Sequence, residues 1–315
     1  MIDLAALREF EERLEPWKVG GPGPAGGPGP AGDDGTGVRV LGYGEISTVF
    51  SIGGHDGRTA FKRMPLFSTV EQARGYAESY GRYTGLLREA GLDLPEDETA
   101  VIDVPGRPVV LYIAQRQLPP GRFCHVLIHH LVGPDCRALF ETVAERLSRV
   151  WSFNERRRPG VELAIDGQLS NWVLLEDGRL FFVDTSTPIF RRDGVEQLDP
   201  ELFLASAPGF LRWLLRLAFL DEVMSRYYNP HRVFMDMVAN LYKEGREDLV
   251  SVALPAVNGR LPPSAQITPE EVRKYYSGDR VIWSVFLAFR RLDRWVKTRI
   301  LGRRYEFVLP GKIWR

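Results

Sequence analysis

Residues 164–188 read AIDGQLSNWVLLEDGRLFFVDTSTP, and this stretch constrains the chain more than any other. Two apolar runs, Trp172 to Leu175 and Leu180 to Val183, flank Glu176-Asp177-Gly178-Arg179. An Asp-Gly pair between such runs is a strong hairpin signal, because the tight turn that joins antiparallel strands needs positive φ. A hairpin returns the chain to its starting end, so it brings Asn171 and Asp184 together. Asp166 lies in the loop just before it. Two carboxylates and an amide, all hard oxygen donors, therefore converge. That donor set suits Mg²⁺, which is usually held by one or two carboxylates plus substrate phosphates.

The order Asp166, Asn171, hairpin, Asp184 resembles the catalytic and metal-binding loops of the protein-kinase-like superfamily, which includes the aminoglycoside and choline phosphotransferases. The resemblance implies that Asp166 serves the acceptor hydroxyl as base, and that Asn171 and Asp184 hold Mg²⁺ on the phosphates of ATP. Three departures stand out: Ala164 where the family usually has His, Thr185-Ser186 where it usually has Phe-Gly or a similar pair, and Ser47 at the third glycine of its Gly-rich loop. That loop is represented by Gly42-Tyr43-Gly44-Glu45-Ile46-Ser47-Thr48-Val49, where glycine lets backbone N–H groups approach phosphates closely. Thirteen residues after Val49, Lys62 stands in an Ala-Phe-Lys strand and resembles the phosphate-pairing lysine. The family pairs that lysine with an acidic residue on the following helix. Glu71, Glu78 and Glu89 are the candidates, and Glu78 is the central choice.

The resemblance implies a two-lobed α+β fold, with an antiparallel β-sheet N-lobe and a mostly helical C-lobe. An N-terminal helix spans 1–18 and a linker 19–37, in which GPGPAG occurs twice. The N-lobe spans 38–117 and the C-lobe 118–315. A helix at 69–90 and strands at 100–104 and 108–114 lead to a hinge carrying Gln115 and Gln117, where the adenine edge would lie. The implied catalytic set is Asp166, Lys62 and Glu78. The implied nucleotide set is Gly42, Tyr43, Gly44, Ser47, Val49, Lys62, Gln115 and Gln117.

Further helices are expected at 137–153, 208–228, 230–244, 246–254, 269–276 and 280–301, and a short strand at 305–309. Thr268-Pro269 is a clear helix start. The last helix is basic and amphipathic, a type that lies on membranes or binds anionic partners. Packing on its own domain with extended arginine stems is the preferred reading here. Residues 123–136 hold both cysteines and three of the five histidines, but no spacing suited to a zinc cage. Interleaved apolar residues argue for packing.

Lysine plus arginine equals aspartate plus glutamate at 41 each, so no global field favours nucleic acid. Two cysteines argue against a disulfide scaffold and fit a reducing compartment. A cytoplasmic phosphotransferase acting on a small-molecule or protein acceptor is the expected function. A pseudokinase-type binding module without catalysis, or AMP transfer on the same fold, is the alternative.

Overall fold

The computed structural model describes residues 2–16, 38–43, 47–52, 58–157, 159–199, 202 and 225–308. The chain begins with α1 (Leu4–Arg13), capped by the Asp3 carboxylate, which accepts from the backbone N–H groups of Ala5 and Ala6. β1 (Val38–Tyr43), β2 (Thr48–Ile52) and β3 (Thr59–Phe67) follow, then α2 (Val70–Glu89), β4 (Asp97–Ile102) and β5 (Val109–Arg116). The five strands form an antiparallel sheet in the order β1-β2-β3-β5-β4.

Both faces of this sheet are covered, which explains why β5 is buried along nearly its whole length. Successive side chains on a strand point to opposite faces. Val109, Leu111 and Ile113 accordingly pack with Ala73, Tyr76 and Tyr80 of α2. Val110, Tyr112 and Ala114 pack with Leu7 of α1 and Val308 near the C-terminus. The expected N-terminal helix is thus an integral cover of the sheet. The linker at 19–37 and most of the expected helix at 208–228 lie outside the described residues.

The helical half holds a turn, α3 (Cys124–Leu127), then α4 (Gly133–Arg157). The hairpin comes next, as β7 (Trp172–Leu174) and β8 (Leu180–Phe182), preceded by β6 (Val161–Leu163). β9 (Phe190–Arg192) pairs with β6 and with β10 (Val195–Glu196). Gly178 has φ of 83°, the left-handed turn conformation that the Asp-Gly pair foretold. α5 (Pro230–Lys243), α6 (Val250–Asn258) and α7 (Pro269–Trp295) are the later α-helices among the described residues. Leu139, Phe140, Val143 and Leu147 of α4 pack with Phe234 and Val238 of α5 and with Trp172 and Phe182 of the hairpin in one continuous core.

The C-terminal region corrects two expectations. α7 runs unbroken through Gly278, where two helices were expected. A glycine inside a helix costs only about 1 kcal/mol relative to alanine, and a capping box at Thr268 and Glu271 fixes the start. A π-helical turn at Val296–Ile300 ends it. Residues 305–308 then lie on the sheet-bearing half without forming the expected strand.

Buried charge holds that terminal segment in place. Lys62 and Arg63 are neighbours on β3 and so face opposite ways. Arg63, 2% exposed, donates from Nε and Nη2 to the Glu11 carboxylate of α1 at 2.8 and 2.7 Å. It also donates to the Glu306 backbone carbonyl at 2.7 Å and to the Glu306 carboxylate at 3.1 Å. The Tyr112 hydroxyl donates to Glu11 as well. One arginine therefore ties both ends of the chain to the sheet.

Candidate active site

The loop bearing Asp166 is braced from several elements. Asn154, near the end of α4, pairs with both backbone groups of Leu163: its amide donates to the carbonyl at 2.8 Å and its oxygen accepts from the N–H at 2.7 Å. The Tyr83 hydroxyl of α2 donates to the Ala164 carbonyl at 2.8 Å, and the Ala164 N–H donates to the Ile189 carbonyl at 3.1 Å. Position 164 is fully buried, and its backbone provides the fixed point. Gly167 is required by close packing: a Cβ there would sit 2.7 Å from Val233 Cγ1 and 3.2 Å from Leu147 Cδ1. The loop bearing Asp166 thus lies directly against α5 and α4.

The hairpin brings its two ends together as its sequence indicates. Val183 N–H donates to the Asn171 carbonyl at 2.9 Å, so Asn171 stands beside the residue that precedes Asp184. Lys62 Nζ reaches across from the sheet, donating to the Val183 carbonyl at 2.8 Å and meeting Asp184 Oδ1 at 3.4 Å. Val49 pairs with Lys62 in register on the neighbouring strand. Gly42 and Tyr43 lie at the end of β1, and Ser47 is buried just before β2. Gly44 lies outside the described residues.

α2 presents a different face from the one expected. Glu78 is exposed, and no ion pair joins it to Lys62. The buried side is Ala73, Tyr76, Tyr80, Tyr83, Thr84 and Leu87, at three- and four-residue steps. Glu78 sits two residues from both Tyr76 and Tyr80, hence on the far side of the helix. Three tyrosine hydroxyls do the tethering. Tyr76 donates to the Ser186 carbonyl at 2.8 Å, Tyr80 meets Thr185 Oγ1 at 3.3 Å, and Tyr83 holds Ala164. Burial pushes all three phenols well above their ordinary pKa, so they stay protonated donors. The spacing Tyr76, Tyr80, Tyr83 was the available signal.

The hinge was expected to meet adenine through backbone groups, and the Gln115 side chain is engaged elsewhere. Gln115 is buried and donates from Nε2 to Thr185 Oγ1 at 2.8 Å, so its side chain braces the segment after Asp184. Gln117 donates its backbone N–H to the Arg58 carbonyl at 2.6 Å, and its side-chain Oε1 is buried with no hydrogen-bond partner among the described residues. Thr185-Ser186 forms a polar staple: Ser186 Oγ donates to Asp184 Oδ1 at 3.2 Å while Thr185 takes the two bonds above.

Burial shifts Lys62 and Asp166 in opposite directions. Burial lowers the Lys62 pKa, and the Asp184 carboxylate opposes that shift. Burial raises Asp166 to about 7, reinforced by Asp236 and Asp184 and opposed by the Gln168 N–H and Arg226. Asp236, buried on α5, was missed in the sequence. It accepts from Gln168 Nε2 at 3.1 Å and from the Tyr275 hydroxyl of α7 at 3.1 Å. The signal was an aspartate inside the apolar helical run Val233-Phe234-Met235-Asp236-Met237-Val238. Gly167, Arg226, Tyr227, Arg232, Val233 and Asp236 line a shallow surface depression at Asp166.

The donor set fits a hard cation. Asp184 uses only Oδ1 for its hydrogen bonds within the described chain, and its side chain is 41% exposed. The Asn171 side-chain amide is half-buried and makes no hydrogen bond among the described residues. In the segment 123–136, by contrast, Cys124 is buried and its thiol is pushed up to about 12, so it packs as a neutral side chain.

The chain belongs to a family of unknown function, DUF6206, whose model matches residues 30–294. None of the curated proteins compared with it is similar in sequence. Among solved structures, it is similar to WaaP in complex with acyl carrier protein at 15% identity, covering 71% of this chain and 88% of that one, with a TM-score of 0.31. It is also similar to the kinase domain of Mycobacterium tuberculosis PknI at 15% identity, covering 77% and 95%, with a TM-score of 0.36. Superpositions this loose carry no argument about function.

Proposed function

We propose that this member of the DUF6206 family is an ATP-dependent phosphotransferase of protein-kinase-like fold, acting on a hydroxyl of a small-molecule acceptor. The observation that carries the reading is the meeting of Lys62 and Asp184 at 3.4 Å, at the hairpin end that also bears Asn171, within electrostatic reach of Asp166. Lys62 holds nucleotide phosphate oxygens. Asn171 and Asp184 would hold Mg²⁺, which when bound would offset charge on the phosphates. Asp166 accepts a hydrogen bond from the acceptor hydroxyl and orients it. The acceptor oxygen forms the new bond to the γ-phosphorus, the bond to the β-phosphate oxygen breaks, and ADP leaves. The hydroxyl proton passes to Asp166 and then to water. The buried Gln117 Oε1 suits an amino group such as that of adenine. A binding module without catalysis is the second reading, favoured by the absence of an α2 carboxylate at Lys62.

ADP formation from ATP, measured against pH with Mg²⁺ present, tests the reading. Asp166 must be deprotonated to accept a proton, and its pKa lies near 7. The rate therefore falls about tenfold per pH unit below that value and levels above it. The Asp166→Asn variant loses both the turnover and the slope. Turnover that is independent of pH across this range, or that needs no Mg²⁺, contradicts the assignment.

A further inference from the structure

The far end of α7 carries a surface for which neither the core nor the candidate active site has a use. Among the described residues seven large apolar side chains are strongly exposed, and four of them, Leu292, Trp295, Ile300 and Leu301, fall within ten residues. Trp295 is 54% exposed and Ile300 61%. Leu292, Trp295 and Arg299 follow at three- and four-residue steps and so share a helix face.

The charge around them has one sign. Residues 290–304 contain seven lysines and arginines and a single acid, Asp293, in a chain whose charges balance overall at 41 and 41. Asp293 is paired with Lys297 at 2.8 Å and its side chain is only 12% exposed. Glu306 is similarly withdrawn, at 12%, onto Arg63 and Arg304. The cations that face outward beside the apolar side chains are Arg291, Arg299 and Arg303.

We propose that this end of α7 is a docking surface for an anionic lipid bilayer. An interfacial helix places apolar side chains at the acyl boundary while its guanidinium groups stay at the phosphates. Tryptophan is the residue type enriched at that depth. Contact is peripheral, since no helix among the described residues is long and apolar enough to cross a membrane. Pairing of two copies through the same patch is disfavoured, because a self-complementary interface would set its arginines against their equivalents. The inference does not depend on the phosphotransferase reading.

Co-sedimentation of the full chain with vesicles tests it, using phosphatidylcholine alone and phosphatidylcholine mixed with phosphatidylglycerol. The expected result is binding to the mixed vesicles only, weakened by salt. Arg299→Glu and Arg303→Glu each lower it at least about fivefold. A Trp295→Ser, Ile300→Ser double variant lowers it about tenfold. All these side chains are exposed, so thermal melting of each variant matches the parent. Three results overturn the proposal: equal binding to both vesicle types or to neither, binding lost with the arginines but unchanged in the apolar variant, or a concentration-dependent dimer abolished by Trp295→Ser.

Discussion

Replacing Asp184 with alanine lowers Mg²⁺-dependent ATP turnover at least about a thousandfold, the scale on which preorganised charge at a phosphoryl group acts. The carboxylate is asked to do two things at once. Its Oδ1 meets Lys62 and Ser186, and its other oxygen remains for a cation. Alanine removes both and leaves Lys62 buried beside the Val183 carbonyl without its nearest counter-charge. Asp184→Asn separates the effects, since the amide oxygen still accepts from Ser186 while the negative charge is gone. Turnover is expected to fall in Asn nearly as far as in Ala, with less loss of thermal stability. Asp177→Ala, at the exposed turn of the same hairpin, keeps parental turnover. ADP formation by the three variants measures this, and parental activity in Asp184→Ala would remove the basis for the proposed metal site.

The largest expected effect on stability lies on the opposite face of β3. Glu11 is 1% exposed and accepts two bonds from Arg63 and one from Tyr112. Glu11→Ala strands a buried guanidinium, which keeps only Glu306, and leaves the Tyr112 hydroxyl without its acceptor. Breaking a buried pair from one side costs about 3–5 kcal/mol. Because Glu306 remains, the lower end is expected, about 3 kcal/mol by urea unfolding. Removing both charges with Glu11→Met and Arg63→Met is expected to cost less than the sum of the single changes, because neither partner is then left charged and unmatched. Additive losses in that cycle would mean the pair is not coupled. The same contacts seat α1 over Phe50, Phe61 and Tyr112, so loss of the ion pair should also loosen the strand that presents Lys62.

The parts of this architecture that were legible in the sequence are those in which local chemistry decides structure. Asp177-Gly178 between apolar runs fixed the hairpin, and with it the joining of Asn171 to the residue before Asp184. Thr268-Pro269-Glu270-Glu271 announced the start of α7. What escaped depends on tertiary context. Glu78 was favoured as the partner of Lys62, but the rotation of α2 is set by three buried tyrosines whose hydroxyls bond the loops on either side of the hairpin. The hinge at Gln115 was read for its backbone groups alone, and the reach of its side chain to Thr185, a contact between positions 70 residues apart, was not foreseen. Asp236 belongs to no short motif. Its importance follows from the approach of α5 to Gly167, visible only when both are folded together. Gly278 suggested a break that the continuous hydrogen bonding of α7 overrides. Packing on its own domain was the preferred reading of the basic helix, and its last two turns leave Leu292 and Trp295 about half exposed.

The central claim is that Lys62, Asp166, Asn171 and Asp184 surround one nucleotide–metal site. A crystal structure with a non-hydrolysable ATP analogue and Mg²⁺ tests it most directly. The expected result is a metal about 2.1 Å from oxygens of Asn171 and Asp184, with Lys62 Nζ on a phosphate oxygen and Asp166 facing the γ-phosphate. A nucleotide bound elsewhere, or a metal that ignores Asn171 and Asp184, would contradict the account.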